Sequence, residues 1–593
     1  MGGIFIIQDP SRARRQLLAG LARPHFSRAG LSNPLTIEVG NILIDVYPKY
    51  NQKAPIFQDL GNGDFAIASG TFVFDSESGI KALCRYLAYP IPPVDRCRGA
   101  YVLLTRRHGR TILHADRFGT YELYINKDRT LFSSVMLALA ACLPRVSIRR
   151  AECLEYIVGG VTLGANTPIA EIDRLDLGET IEFTDINRCH LSRPRIIETE
   201  SHAPIDELIE RSLLSLRVAM DDYATAFRNQ IRISFSGGYD SRLLFALARD
   251  RGIDPELFVY GSDDAADVRH AAELARVEGA KFQHIDKALI RPVTLEAFPS
   301  MLRASAEMND GFSQYWMFCS DSENYARIAR CDGDGVIMNG GGGEVFRNFF
   351  KFAGQSMSVK AFVSAFFSGY DPDILTDPEL RAEYETNISR KIIAIFGLDR
   401  PHLTPAHVAS LYPHLRCRSW FGRDTSIDNR FGHRATPYLE PSVVCEALQI
   451  PLRWKQFGIF QGRLIKALSP SIATHMSSHG YNFYRDPPWR YRVDDIRLLL
   501  QPLAMRRHNF RMKQRFGSRP ALPQELTPKF LQTVIDISFP RVRHMFIPSR
   551  LTDPTQFQRL AVLEYMLQML DGITDLSLDR TSGGDPSARG QAV

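Results

Sequence analysis

The residues best suited to chemistry lie in one run, Ser234-Phe235-Ser236-Gly237-Gly238-Tyr239-Asp240-Ser241, preceded by Ile231-Arg232-Ile233 and followed by the helical stretch Arg242 to Arg249. A strand that enters a turn of small residues and then a helix presents unpaired backbone N–H groups, which attract an anion. Gly237 and Gly238 let the backbone approach a ligand, and the hydroxyls of Ser236 and Ser241 can donate hydrogen bonds. The run reads as a phosphate cradle. Asp240 is out of place beside phosphate unless a cation bridges the two, which points to Mg²⁺. No lysine follows the glycines, so the loop is not of the GxxxxGK[ST] type. The plainer alternative is a tight strand-to-helix turn that simply needs glycine.

These residues need elements that hold them. From residue 205 onward strand and helix patterns alternate: Ile231 to Phe235, Arg242 to Arg249, Leu257 to Tyr260, Val268 to Val277 and Phe282 to Ile285. Such alternation predicts a parallel sheet covered by helices. The first ~200 residues instead carry short apolar runs between turns, as in Asn41 to Tyr47, Asp64 to Phe74, Ala100 to Thr105 and Thr111 to His114, and predict a layered β domain. A polar stretch from Glu198 to Pro204 reads as a linker, and Ile205 to Met220 has helical spacing. Segments after Lys360 read as helices broken by proline, and Arg580 to Val593 as a disordered tail.

The chain has 593 residues, 45% hydrophobic and 23% charged, which is ordinary globular usage and excludes a fibrous or wholly disordered chain. No apolar stretch, Leu243 to Ala248 included, approaches the roughly 18 residues of a membrane span. The start, Met1 to Gln8, lacks the charged region of a secretory signal. Nine scattered cysteines form neither CxxC pairs nor a disulfide pattern, so a reducing cytoplasm is the expected location. The net charge of +6 is concentrated between Tyr484 and Arg519, where ten Lys or Arg face three Asp. With Trp489, Tyr491, Phe510 and Phe516 interleaved, that segment reads either as a seat for an acidic chain or as a solvated helix face with its apolar residues turned inward.

The run S-G-G-x-D-S after a strand resembles the pyrophosphate-binding loop of ATP pyrophosphatases, which cleave ATP between the α- and β-phosphates and adenylate a substrate. Further segments resemble the asparagine synthetase-like members of that group. Phe258-Val259-Tyr260-Gly261-Ser262 looks like their second strand, whose end faces the adenosine. Val336-Ile337-Met338-Asn339-Gly340-Gly341-Gly342-Gly343-Glu344 is similar to the family's S-G-E-G-[SA]-D segment, with Glu344 at the metal-binding carboxylate. Arg434 to Glu440 looks like R-x-P-F-L-D. The resemblance implies an α/β fold, an N-terminal Ntn-hydrolase-like layered β domain (1–200, glutamine amidotransferase-like) followed by a doubly wound parallel PP-loop sheet with a helical C-terminal part (205–575), then the tail (580–593). It implies ATP and Mg²⁺ as cofactors, bound by Ser234, Ser236, Gly237, Gly238, Asp240, Ser241, Tyr260, Gly261, Gly340 and Gly342, with Asp240 and Glu344 as catalytic and metal-holding residues.

The first domain resembles the family through Asp116 to Tyr124, similar to D-x-x-G-x-x-P-L-Y. In a working glutaminase of this kind the nucleophile is Cys at position 2, activated by its own α-amino group. Here position 2 is Gly, and Ser69-Gly70-Thr71 stands where N-G-E would hold glutamine. Glutamine hydrolysis is therefore expected to be lost, as in β-lactam synthetases and lasso-peptide cyclases of the same family. Two departures fall in the second half: Gly341 replaces an acidic residue, and Ser478 lies where a lysine is expected. Lys455, Lys466, His479 and Arg485 are the candidate replacements.

The resulting expectation is an ATP-dependent ligase that adenylates a carboxylate for attack by an amine or ammonia. Asparagine formation from ammonia, an intramolecular cyclase of peptide natural products and a non-catalytic ATP-binding protein are the alternatives. Expected partners are a carboxylate substrate and an amine donor, each a small molecule or peptide, and a second copy in a homodimer; neither a membrane nor a nucleic acid is expected.

Overall fold

A computed structural model describes residues 2–50, 52, 55–89, 93–184, 189–192, 194–286, 293–312, 322–331, 334–516 and 521–573. The segment 580–593, expected to be a tail, lies outside them.

The apolar run at the start of the chain forms the strand Gly3–Gln8, buried along its whole length. Ile4 and Ile6 enter one core and Phe5 and Ile7 another, so both faces must be apolar and the usual alternation vanishes. This strand sits inside a six-stranded antiparallel sheet ordered Ile172–Arg174, Tyr124–Asn126, Leu131–Ser133, Gly3–Gln8, Ile42–Tyr47, Leu35–Val39. A second antiparallel sheet runs Cys189–Ser192, Glu179–Phe183, Arg110–Ala115, Tyr101–Arg107, Asp64–Gly70, Phe57–Gly61. The sheets pack face to face through Ile4, Ile6 and Ile44 against Ile67, Val102 and Leu104. Helix Arg12–Arg28 covers the first sheet with Leu18, Ala22 and Phe26, and helix Gly79–Leu87 covers the second with Leu83 and Tyr86. The layers are thus helix, sheet, sheet, helix. The expected single run Asp64 to Phe74 divides into two strands, because the chain turns at Gly70 with φ +96°, where a Cβ would strike the Ala100 carbonyl.

The second half holds a five-stranded parallel sheet: β1 (Ile231–Ser234), β2 (Glu256–Tyr260), β3 (Phe282–Ile285), β4 (Val336–Met338) and β5 (His433–Ala435), in the order β3-β2-β1-β4-β5. Helices α1 (Ile205–Ala226), α2 (Tyr239–Asp250) and α3 (Ala266–Val277) follow the expected pattern, with α1 six residues longer than its spacing suggested. One face of the sheet packs Ile233, Leu257 and Met338 against Leu243, Leu247 and Leu274. The other packs Phe258 and Ile337 against Ile427 and Phe431 of α4 (Arg418–Phe431). Both faces are covered, so apolar residues of these strands point to both sides.

The halves are joined by buried polar contacts as well as by a shared core. One cluster contains Phe26, Leu137 and Tyr156 together with Phe298, Phe362 and Leu560. Lys49, 1% exposed, donates to the Asn429 carbonyl at 2.7 Å and the Gly432 carbonyl at 2.9 Å, closing the C-terminal end of α4 from the other half. Asp428 on the same helix takes ion pairs from Arg330 at 3.2 Å, Arg327 at 3.4 Å and Arg434.

Candidate functional site

Strand order reverses between β1 and β4, and at such a point the loops leaving the carboxyl ends of the two strands diverge and leave a crevice. The Ser236 to Ser241 loop leaves β1 and the Asn339 to Glu344 segment leaves β4, so both singled-out runs border this crevice. Ser234 ends β1. Gly237 turns with φ +71°, which favours glycine, and Gly238 is the extended residue that opens α2. Ser236 is exposed, with its Oγ 3.4 Å from the Ser241 Oγ.

Asp240, in the first turn of α2, meets Glu344 around a residue that the sequence reading missed. Arg347 Nη2 donates to Asp240 Oδ2 at 2.7 Å and Oδ1 at 3.0 Å, and lies 3.4 Å from Glu344 Oε1. Gln461 donates to Asp240 Oδ1 at 2.8 Å, the Tyr412 hydroxyl donates to Glu344, and the Tyr438 hydroxyl donates to the Asp240 carbonyl at 2.7 Å. Burial pushes the Asp240 carboxyl up to about 6; Arg347 opposes that shift and the Glu344 charge adds to it. The i,i+3 spacing of Glu344 and Arg347 was a legible pairing signal. Asp240 lies too far away in sequence for any such signal.

The donor set suits Mg²⁺, which takes oxygen ligands and is commonly held by one or two carboxylates plus substrate phosphates. Asp240 and Glu344 would hold it, sharing a position that the guanidinium now fills. Among the described residues no cluster of three or more His, Cys, Asp or Glu competes for that role.

The four consecutive glycines are explained by close packing. A Cβ at Gly340 would lie 2.8 Å from Asp240 Cβ and 3.0 Å from the Ser241 nitrogen, and one at Gly343 would overlap the Asp240 carboxylate. At Gly342, φ is +88° and a Cβ would press on Leu439. At Gly341, the position of an acidic residue in the resembling family, a Cβ would lie 2.7 Å from the Phe421 ring and 2.6 Å from Asn339 Oδ1.

Tyr260 ends β2 beneath the Arg330 guanidinium, 5.1 Å from its ring centre, and Gly261 follows with φ +147° and its carbonyl 2.8 Å from His284 Nε2. Of the candidate cations, His479 stands at the loop, its Nε2 3.9 Å from where a Gly238 Cβ would be. Burial, with Arg347 and Arg242 nearby, holds its imidazole below the usual range, while Asp267 acts the other way. Lys455 is buried, which pulls its ammonium down to about 7. Lys466 and Arg485 line a separate cavity beside Tyr239. Tyr239 itself stacks on Phe483 at 4.0 Å and bonds to the Tyr481 hydroxyl at 3.1 Å, so the variable position of the motif anchors the segment carrying His479.

In the first half, Gly2 is walled in. A Cβ there would overlap Leu31 and lie 2.8 Å from the Pro48 carbonyl and 3.1 Å from the Arg430 carbonyl. Thr71 donates to Asn429 Oδ1 at 2.6 Å and accepts from the Arg434 nitrogen at 2.9 Å, while the Ser69 and Tyr121 hydroxyls pair at 2.6 Å. Thr71 thus joins the halves. Gly2→Cys is accordingly expected to release no glutamate from glutamine and to lose about 1–3 kcal/mol of stability through overpacking, as read by a glutamate assay and a thermal melt.

No protein-family model matches the chain, and no curated protein matches it. Solved structures to which it is similar include the glutamine phosphoribosylpyrophosphate amidotransferase from B. subtilis complexed with ADP and GMP, at 11% identity over 58% of this chain and 77% of that one, with a TM-score of 0.23. Another is the allosteric regulatory enzyme of purine biosynthesis, at 13% identity over 51% and 78%, with a TM-score of 0.22. At such scores the likeness carries no argument, and the site stands on its own geometry. No helix among the described residues is long and apolar enough to cross a membrane.

Proposed function

We propose that the chain is an ATP-dependent ligase that adenylates a carboxylate and passes the acyl group to an amine or ammonia, without hydrolysing glutamine. The observation that carries this reading is the crevice between β1 and β4, where an anion-binding loop and two carboxylates converge on one cation position. The α2 N-terminus and the Ser236 and Ser241 hydroxyls bind and orient the phosphates. Mg²⁺, held by Asp240 and Glu344, would neutralise phosphate charge. A carboxylate oxygen attacks the α-phosphorus as pyrophosphate leaves, and Arg347 supplies the cation that residue 478 does not. The amine then attacks the acyl carbon and AMP departs. His479, whose imidazole burial holds below its usual range, would accept the amine's proton. The closed Gly2 position supports an amine source other than glutamine.

The test is exchange of labelled pyrophosphate into ATP with a panel of acids. At least one acid is expected to support exchange, and Asp240→Ala to lower it about 100-fold or more. A second reading, a nucleotide-binding protein without turnover, is favoured by one observation: the Arg347 ion pairs satisfy both carboxylates without a metal. Binding of Mg-ATP that depends on Asp240, with no exchange for any acid, would put that reading in first place.

A further inference from the structure

The segment bearing Glu344 and Arg347 continues into Phe349, Phe350 and Lys351, which line a cavity of about 640 Å³. That volume is within the range of about 300–1,000 Å³ typical of small-molecule sites, and well beyond what aspartate fills. The cavity adjoins the carboxylate centre: the Phe349 ring lies 4.5 Å from Tyr412, whose hydroxyl holds Glu344. Another part of its wall comes from the basic segment whose role the sequence left open. Leu498 from α5 (Trp489–Leu500), with Arg506 and Phe510 from α6 (Leu503–Phe516), faces Phe366 and Trp420.

The walls combine aromatic rings with cations. Arg416 lies 3.7 Å from the Trp420 ring centre, and Arg506 lies 4.8 Å from that of Phe366. The two acids on the lining are already engaged. Glu155 takes the Lys391 ammonium at 2.8 and 3.0 Å, and Asp553 accepts two backbone N–H groups at the start of helix Pro554–Asp571. Arg506 donates to the carbonyls of Phe350, Lys351 and Leu498, at 3.1, 2.5 and 3.0 Å, all uncharged acceptors. Arg506 thus presents a guanidinium bonded to carbonyls among apolar walls.

We propose that this cavity receives the acid substrate, and that the acid bears an aromatic or bulky aliphatic group seated among Phe366, Trp420 and Phe510, with its negative charge favoured by Arg506. The proposal rests on the ligase reading for its chemistry but not for its binding, and the two are separable by experiment. Calorimetry without ATP would compare N-acetyl-phenylalanyl-aspartate amide with the alanyl analogue, which lacks the ring, and the asparagine analogue, which lacks the carboxylate. The phenylalanyl acid is expected to bind about tenfold or more tighter than the alanyl acid, as burial of a phenyl group implies. Phe510→Ala should remove that preference, and Arg506→Gln should remove the preference for acid over amide. Circular dichroism checks the fold of both variants, and Phe510→Leu, which keeps apolar bulk, should retain part of the ring preference. Equal binding of the phenylalanyl and alanyl acids, or an unchanged preference in a folded Phe510→Ala protein, overturns the proposal. Pyrophosphate exchange with the same peptides tests the chemistry separately: ring-dependent binding with no exchange leaves the cavity standing and overturns the ligase.

Discussion

Asp428→Asn is expected to lower stability by about 3–5 kcal/mol, the cost of removing one partner from a buried charge cluster. Asp428, Arg327, Arg330 and Arg434 are all more than nine-tenths buried, so solvent cannot replace the lost carboxylate. The cluster ties α4 to β5 and to helix Ser322–Arg330, and three guanidinium groups would be left without their shared counter-charge. Urea unfolding is the measurement. Asp424→Asn is the control, since the Asp424 side chain is 31% exposed at its ion pair with Arg327, and should cost under about 1 kcal/mol. The same site predicts acid sensitivity. The three arginines overcome burial and hold the Asp428 carboxyl down to about 2, below its ordinary 3.8. A carboxyl with a depressed folded pKa adds stability above the unfolded value and loses it as pH falls. The wild-type advantage over Asp428→Asn should therefore shrink as pH falls from about 4 towards 2.

Gly343→Ala is expected to abolish most exchange activity while leaving a folded protein. The added methyl would overlap the Asp240 carboxylate, which Arg347 and Gln461 hold in place. Asp240 must move, and misplacing a positioned group by about 1 Å can cost about 100-fold in rate. Overpacking adds a stability loss of about 1–3 kcal/mol. Gly20→Ala offers the contrast, because Gly20 lies inside helix Arg12–Arg28 with open space around it and should gain roughly 0.5–1 kcal/mol. Exchange and melting measured on both variants separate a displaced carboxylate from a general effect of the substitution. If Gly343→Ala exchanges as well as the wild type, Asp240 does not act where the structure holds it.

The elements around the cradle were legible because their information is local. Ile231 to Phe235, Leu257 to Tyr260 and Phe282 to Ile285 each carry apolar residues over a strand length with turn residues near both ends, and each holds a strand. Asp240 and Glu344 stood out through their glycine neighbours. Arg347 did not, since its meaning comes from Asp240, 107 residues earlier. Ranking Lys455, Lys466, His479 and Arg485 by sequence proximity could not separate them either, because Tyr239 stacked on Phe483 decides which part of that segment faces the loop. The glycines at 340 to 343 showed a need for closeness without showing what they approach. The structure supplies the answer: Gly340 and Gly343 approach Asp240 in the first turn of α2, Gly341 approaches Phe421, and Gly342 approaches Leu439.

The Lys49 ammonium seated on the end of α4 has an evolutionary consequence. The first half closes a helix whose Asp428 braces β5, and its Thr71 holds the backbone of Arg434 in β5 itself. Selection acts on these contacts whether or not that half carries out a reaction. The first half is thus a component that the other half cannot discard, and harmful variants should be selected against there.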